Sequence, residues 1–505
     1  MYYRRMIDRD PAIGTLPLTR ARPTYRAICG FSMAWISFFA ILFWPGLPDG
    51  LSAEGKAAMA TTIWAALIWL SEAIPTAVSG VLIPLLLVLG GAVPTFAGAV
   101  SGFAAPVVFL CLTAFLFAAI VQIAGLDHRV ALYLLDRFKV RTANGVIWAL
   151  FGVNVLLSFI VPAANARSAA LLPVTNGITA LFGDTPAEQN AKKAIVIQTL
   201  VYGSMISGMC ILTAHLPNVV VTALIEKQLG WRISYLDWLR LQWPYLGMFV
   251  LTQLWVQFYF KSRSVQVPGG PEAIIRQRSA LPRMRPRDYG ILAVLSLVAV
   301  LWATQQFHGF TTEIVALIGL AILFAPGLLD MPWQQIEQRT IWGTLFLLAG
   351  ALSLSAAIGS SGLAAWLADR LYFVAAGRAW WSVLLLFMVG THIVRLGMLS
   401  NVASVTLMAP ILLALAPKLG LHSVAFTLLV SDTDSFAYLL PTQITAGVIA
   451  YSSGAFSMAD YAKVGIVSVV IAILYGVFIM APWYAAMGLP LWNPAVPWPL
   501  GNIHG

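Results

Sequence analysis

Charge is what this sequence has least of. Asp, Glu, Lys and Arg make up 10% of its 505 residues, against about 25% in a soluble globular chain. So few charged side chains cannot cover a water-facing surface of this length, which excludes a soluble enzyme, a nucleic-acid binder and a disordered scaffold. Cysteine is scarce as well: Cys29, Cys111 and Cys210 lie in apolar stretches without CxxC spacing, giving neither a metal site nor a disulfide framework. Six histidines without ligand spacing leave an intramembrane enzyme without its constellation. No enzyme activity and no cofactor are expected. The first apolar run begins after residue 26 with no small-residue cleavage site behind it, so no signal peptide is expected.

What is present is apolar. Hydrophobic residues make up 60% of the chain and the mean hydropathy is +0.84, so the solvent is lipid. Runs long enough to span hydrocarbon fall at 27–46, 57–74, 76–94, 104–124, 192–213, 242–260, 289–306, 313–329, 340–358, 420–440 and 461–486. Two more, 144–182 and 380–418, are interrupted by FIVPAANARSAALLP and LGMLSNVASVTLMAP. A polar break at membrane depth survives only where protein or a water-filled cavity satisfies the freed backbone groups. These two segments are read as re-entrant helical hairpins. The expected fold is an all-α polytopic membrane protein with about 11 transmembrane helices and two hairpins.

Nearly all of the net charge of +10 lies in two places. Residues 1–26 carry six Arg against two Asp, and residues 261–288 carry seven basic side chains against Glu272 and Asp288. Both flank apolar spans, as the positive-inside rule produces in cytoplasmic segments. The partner is then a lipid bilayer, not nucleic acid, and the location a bacterial inner (plasma) membrane with the N-terminus cytoplasmic. The hairpin reading makes the count of crossings agree, returning the chain to the cytoplasm at 261–288.

The hairpins also correspond to each other. Pro173 and Pro410 close them in matching LLP and MAP contexts, and an amphipathic stretch precedes each, ending in LLDRF (134–138) or LADRL (367–371). This predicts an inverted-topology repeat: a first half over 27–260, the basic linker 261–288, and a second half over 289–505. Broken helices at matching positions of inverted halves mark the binding site of a transporter.

The residues at the breaks set the chemistry. Helix starts offer N–H groups to a carboxylate, and the carbonyl ends suit a cation. Ser400, Asn401 and Val402 form the second break, with Thr406 one turn on; Ala163, Ala164, Asn165, Ala166 and Arg167 form the first. Arg167 favours an anionic substrate, since a charge at membrane depth costs about 2.5–3.5 kcal/mol on insertion scales; a structural ion pair is the alternative. Arg395 is read as structural or gating. Thr213, His215, Pro217 and Asn218, and Thr442, Gln443, Thr445 and Ser453, lie where the following segments break and complete the expected pocket. Asp432 and Asp434 are read either as proton or cation carriers, with His215, Ser400 and Asn401, or as neutralisers of an arginine. Glu72, beside Pro75, is expected to cap or pair at the interface and not to meet substrate.

These stretches resemble the divalent anion/sodium symporter family, transporters of di- and tricarboxylates and sulfate. LSEAIPTAVSGVLIPLLLVLGG (70–91), PVVFLCLTAFLFAAIVQIAGLDHRVAL (106–132) and LFLLAGALSLSAAIGSSGLAAWL (345–367) look like its characteristic segments. LSNVASVTLMAPI (399–411) matches its second Ser-Asn-Thr hairpin, with Val402 in place of Thr. The resemblance implies a homodimer, elevator-type movement, a substrate held between the hairpin tips, and sodium beside them. Here the first Ser-Asn-Thr motif stands as Ala163-Ala164-Asn165. PAANAR (162–167) is closest to the PSNTAR of the family's bacterial citrate, tartrate and succinate exchangers, a branch commonly not driven by sodium. The expected function is secondary transport of small di- or tricarboxylates by anion exchange or by symport with H+ or Na+. Sulfate or another oxyanion, and a sodium/proton antiporter, are the alternatives.

Overall fold

A computed structural model describes residues 25–46, 48–159, 161, 163–398 and 400–495. The basic segment 1–26 lies almost wholly outside the described residues. Within them the chain is helical, and the one β pairing is an isolated bridge between Thr142 and Gln266.

Two sets of helices recur in the same order. Pro106–Ala124, Leu126–Arg137, Ala143–Ser158, Ala164–Thr179 and Pro186–Cys210 are matched by Trp342–Ser360, Leu363–Ala375, Trp380–Arg395, Asn401–Lys418 and Ser423–Asp434. The spacing between matched starts is nearly constant along the series. The local chemistry repeats too. Gly125 (φ 65°) and Gly362 (φ 78°) end the long helix of each set in left-handed backbone, which glycine adopts without a Cβ penalty and which turns the chain sharply into the amphipathic arm. Leu363–Ala375 and Trp380–Arg395 then meet at a bend of 119°.

Seven of the described helices are long and apolar enough to cross a membrane. Six of them coincide with expected spans; the seventh, Asn401–Lys418, is an arm of the second hairpin. The other expected spans are shorter or more polar helices. Pro75 separates Ala53–Ser71 from Thr76–Leu89, and the helix Ser423–Asp434 stops inside the run expected at 420–440. Helix Tyr25–Phe43 keeps Ile28, Phe31, Met33, Ile36, Phe39 and Phe43 exposed, an apolar face suited to lipid.

Close backbone approach fixes the frame around the site. Thr76–Leu89 packs against Trp342–Ser360, and a Cβ added to Gly350 would lie 2.0 Å from the carbonyl oxygen of Gly80. Small residues at helix crossings in lipid allow this contact. The two halves also exchange partners: Leu216–Leu229 packs on Asn401–Lys418, and Thr445–Ser452 packs on Ala164–Thr179.

The linker 261–288 is not a plain tether. It contains the helix Gly270–Ser279, which docks against Leu126–Arg137. Gln277 Nε2 donates to the Gly177 carbonyl at 3.2 Å, Arg129 Nη1 donates to the Pro282 carbonyl at 2.7 Å, and Arg278 pairs with Asp136.

Pro186–Cys210 widens into a π-turn over Ile197–Gly203, a feature that leaves carbonyls off the helical ladder. The first hairpin takes them up. Asn154 Nδ2 donates to Thr199 at 3.0 Å and Ser168 Oγ to Leu200 at 2.6 Å.

Candidate functional site

The chain breaks around one cavity four times: between the two hairpin arms of each half, and after Pro186–Cys210 and Ser423–Asp434. Each break ends at a helix start. Ala164, Leu216, Asn401 and Thr445 begin these helices, and all four line a single cavity of about 240 Å³. That is below the roughly 300–1,000 Å³ of drug-sized pockets, and suits a molecule of few heavy atoms. Each helix start carries about half a positive charge on N–H groups that lack intrahelical partners.

The two hairpin tips differ in what they leave open. Ser400 Oγ accepts from Ala403 N at 3.3 Å, capping the second hairpin helix. Ala163 stands in the same position at the first, with no side-chain cap. The first tip therefore presents uncapped N–H groups, and Asn165 lines the cavity beside them.

His215 and Asn401 bridge the halves. Asn401 Nδ2 lies 3.3 Å from His215 Nε2, and His215 Nδ1 lies 3.3 Å from Asn218 Oδ1. The pairing assigns the ring proton to Nδ1, donated to Asn218, with Nε2 accepting from Asn401. Asn401 Oδ1 in turn accepts from Arg395 Nη2.

Both arginines stand behind the cavity, not in it. Arg167 is fully buried. Its Nη1 donates to the carbonyls of Val161 (2.8 Å) and Ala214 (2.9 Å), and its Nη2 to that of Ser204 (2.7 Å). Gly208 makes room, since a Cβ there would lie 2.5 Å from Arg167 Nη2. Arg395 does the same work in the second half. Nη1 donates to Met398 (3.0 Å), Nη2 to Gln443 (2.8 Å), and Nε lies 3.9 Å from Asp434 Oδ1. Arg167, expected at the substrate, does not line the cavity here: its Nη1 and Nη2 are engaged by carbonyls that the break frees. When Pro173 is matched with Pro410, Ser404 takes the place of Arg167, and Ser158 that of Arg395. Each half thus holds one arginine, supplied from opposite arms of its hairpin.

Of the other expected residues, Ser400, Val402, Pro217 and Thr445 line the cavity. Ala166, Thr213 and Asn218 do not. Asn218 Nδ2 is occupied by the carbonyls of Gly208 (3.0 Å) and Ile211 (3.1 Å). Asp432 is buried away from the cavity, accepting from Gln242 Nε2 at 2.8 Å and Tyr484 OH at 3.2 Å. Asp434 is buried beside Arg395. Gln443 stitches the second break to its hairpin: Oε1 accepts from Leu439 N (2.9 Å) and Leu440 N (2.8 Å), and Nε2 donates to the Arg395 carbonyl (3.0 Å).

Residues 27–489 match the family described as the sodium:sulfate symporter transmembrane region. The chain belongs to this family. A membrane protein of Cupriavidus necator is 29% identical over 462 residues, covering 87% of this chain and 89% of that protein. The sodium-dependent dicarboxylate transporter SdcS of Staphylococcus saprophyticus is 26% identical, over 88% of this chain and 90% of its own. Two solved transporters share the fold. The YdaH transporter of Alcanivorax borkumensis covers 87% of this chain and all of its own at 17% identity and TM-score 0.52. The MtrF protein of Neisseria gonorrhoeae covers 96% of this chain and 99% of its own at 12% identity and TM-score 0.55. The chain is a multi-pass membrane transporter of the sodium:sulfate symporter family.

This symporter-family chain has a second cavity wall that its sequence alone does not reveal. Trp69 and Glu72, from the end of Ala53–Ser71, line it with Thr76, Thr344 and Leu347, from the helices joined at Gly80 and Gly350. Glu72, expected at the interface, ends its helix as the cap residue and also faces the cavity. No local signal joins segments from opposite halves of the chain, although a carboxylate at a span's end followed by proline marks where to look.

Proposed function

We propose that the protein is a secondary carrier of small di- or tricarboxylates that works by anion exchange, without a coupling sodium ion. The observation that carries this is the convergence of four helix starts on one small cavity, an arrangement suited to a carboxylate. The family membership and the relatives named sodium-dependent dicarboxylate transporters support the substrate class. The two matched sets of helices support the inverted repeat. The division between the hairpins and the Gly80–Gly350 frame supports an elevator-type movement, with a homodimer implied by the same resemblance.

The coupling argument rests on the arginines. In a broken membrane helix the freed carbonyls suit a cation. Here Val161, Ala214 and Ser204 in one half, and Met398, Gln443 and Asn401 in the other, already accept from a guanidinium. Each half carries a cation covalently at its break, which supports a carrier that needs no sodium at these carbonyls.

The test is succinate and citrate uptake into proteoliposomes, preloaded with dicarboxylate or empty, with and without a sodium gradient. Accumulation only in preloaded vesicles, indifferent to sodium, supports exchange. Sodium-driven uptake into empty vesicles would overturn the coupling argument, and transport of sulfate alone would overturn the substrate class.

A further inference from the structure

The surface that the charge pattern assigns to the cytoplasm gathers more positive charge than its own acids balance. Two stretches build it, 133–141 and 261–288, and together they hold ten Lys and Arg against Asp136, Glu272 and Asp288. They lie side by side. Val267 N donates to the Arg141 carbonyl at 2.8 Å and Ala143 N to that of Val265 at 2.9 Å, while the helix Gly270–Ser279 packs along Leu126–Arg137. Two of the three acids are already engaged, Asp136 by Arg278 and Asp288 by Arg287. Arg137, Lys139, Arg141, Arg263, Arg276 and Arg283 are exposed, and their side chains have no hydrogen-bond or ion-pair partner among the described residues.

Two further observations set this surface apart from an ordinary solvated charge run. Lys139 (φ 46°) and Lys261 (φ 51°) stand in left-handed backbone. Glycine ends comparable helices without strain at Gly125 and Gly230, so a lysine in that place presents its ammonium against backbone strain, and such strain gathers at functional sites. Among the charges, Tyr133, Phe138, Ile275 and Tyr289 are exposed, and the Arg278 guanidinium lies 5.3 Å over the Tyr133 ring. Aromatic rings beside Lys and Arg suit the headgroup level of a bilayer.

We propose that this surface binds the phosphate headgroups of anionic phospholipids and holds them against the first hairpin. The chain itself supplies no competitor, since residues 1–26 carry six Arg against two Asp and the same face of a second copy has the same sign. A nucleic acid or an acidic protein would meet the charges but leave the rings in water, whereas a lipid surface covers both. Each Lys or Arg near an anionic membrane surface adds roughly fivefold to the affinity. The bound lipid bears on the hairpin because Gln277 Nε2 donates to the Gly177 carbonyl, on its second arm, at 3.2 Å.

The full chain, purified in detergent with equal amounts of phosphatidylglycerol and phosphatidylcholine, reports its bound lipids by native mass spectrometry. The wild type should retain phosphatidylglycerol over phosphatidylcholine by about tenfold or more, and the preference should fall as salt is raised. Joint replacement by Lys139→Gln, Arg141→Gln, Arg263→Gln and Arg276→Gln should bring the two lipids near parity. Lys139→Gly should weaken the preference by roughly fivefold without lowering the melting temperature. Glycine relieves the left-handed backbone, so that loss cannot be assigned to misfolding. Arg370→Gln with Arg378→Gln, from the matching amphipathic arm of the second half and its turn, should change nothing. An unchanged preference in the fourfold variant, or a wild type without one, would overturn the proposal. So would complete displacement of phosphatidylglycerol by excess inorganic phosphate or by an acidic peptide, which would assign the surface to a soluble anion.

Discussion

His215 Nε2 and Asn401 Nδ2 lie 3.3 Å apart across the cavity, joining a break in the first half to a hairpin tip in the second. Each partner is braced from behind, His215 by Asn218 and Asn401 by Arg395. The order of the site thus depends on one polar chain that runs from one half into the other.

Removing the middle of that chain should act on binding more than on folding. His215→Ala deletes two hydrogen bonds worth about 0.5–1.5 kcal/mol each. The expected outcome is a rise in the substrate KM of about tenfold, with the melting temperature nearly unchanged. A KM equal to wild type would show that the bridge does not position Asn401.

Arg167→Ala should act the other way. It strands three buried carbonyls, each costing about 1–3 kcal/mol when unpaired, so a marked drop in thermal stability is expected alongside lost transport. Gly208→Ala should give a milder form of the same defect by pushing the guanidinium aside. A stable Arg167→Ala protein with normal folding would mean that water replaces the guanidinium fully.

The two aspartates should separate cleanly. Asp432→Asn keeps its size and an acceptor for Gln242 and Tyr484, and should leave transport close to wild type. Asp434→Asn removes the carboxylate facing Arg395, and breaking a buried pair costs about 3–5 kcal/mol. Melting temperatures and counterflow rates of the two variants should therefore differ widely; equal behaviour would refute the assignment of Asp434 to Arg395.

Arg395→Ala should open a set of oxygens to a free cation. Asn401 Oδ1 and the carbonyls of Met398 and Gln443 lose their donor while Asp434 remains. Transport by this variant is expected to be weak without sodium and to rise when sodium is added. An equal rate with sodium or with choline would count against the built-in cation.

Gly350→Ala tests the frame. The added methyl would meet the Gly80 carbonyl at 2.0 Å, and overpacking a tight contact costs about 1–3 kcal/mol or more. Poor yield or early melting is the expected outcome, while Gly152→Ala, with open space around its Cβ, should be harmless.

The helix breaks are legible in the sequence because polar, small-residue stretches interrupt the apolar runs 144–182 and 380–418, and the helices stop and restart there. Asn165, Ser400 and Asn401 line the cavity as their sequence position suggests. The direction of Arg167 is not legible. An anion and a set of freed carbonyls satisfy it equally in one dimension, and only the proximity of Ala214 and Ser204 decides between them. Glu72 escapes the sequence because a helix-ending acid normally faces water or headgroups. Its place on the cavity wall depends on the packing of Ala53–Ser71 and Thr76–Leu89 against Trp342–Ser360, far along the chain.

The exchange of partners between halves has a consequence for how the chain is made. Ala164–Thr179 packs on Thr445–Ser452, which is synthesised only near the end of the second half. With the ribosome adding about 5–20 residues per second, that partner emerges on the order of tens of seconds later. During this interval the first tip, with its uncapped N–H groups and the charged Arg167, waits in the bilayer with only its own half to shelter it. The bonds of Arg167 to Val161, Ser204 and Ala214 are all available within that half. The partners of Arg167 are thus complete before the second half of the chain exists.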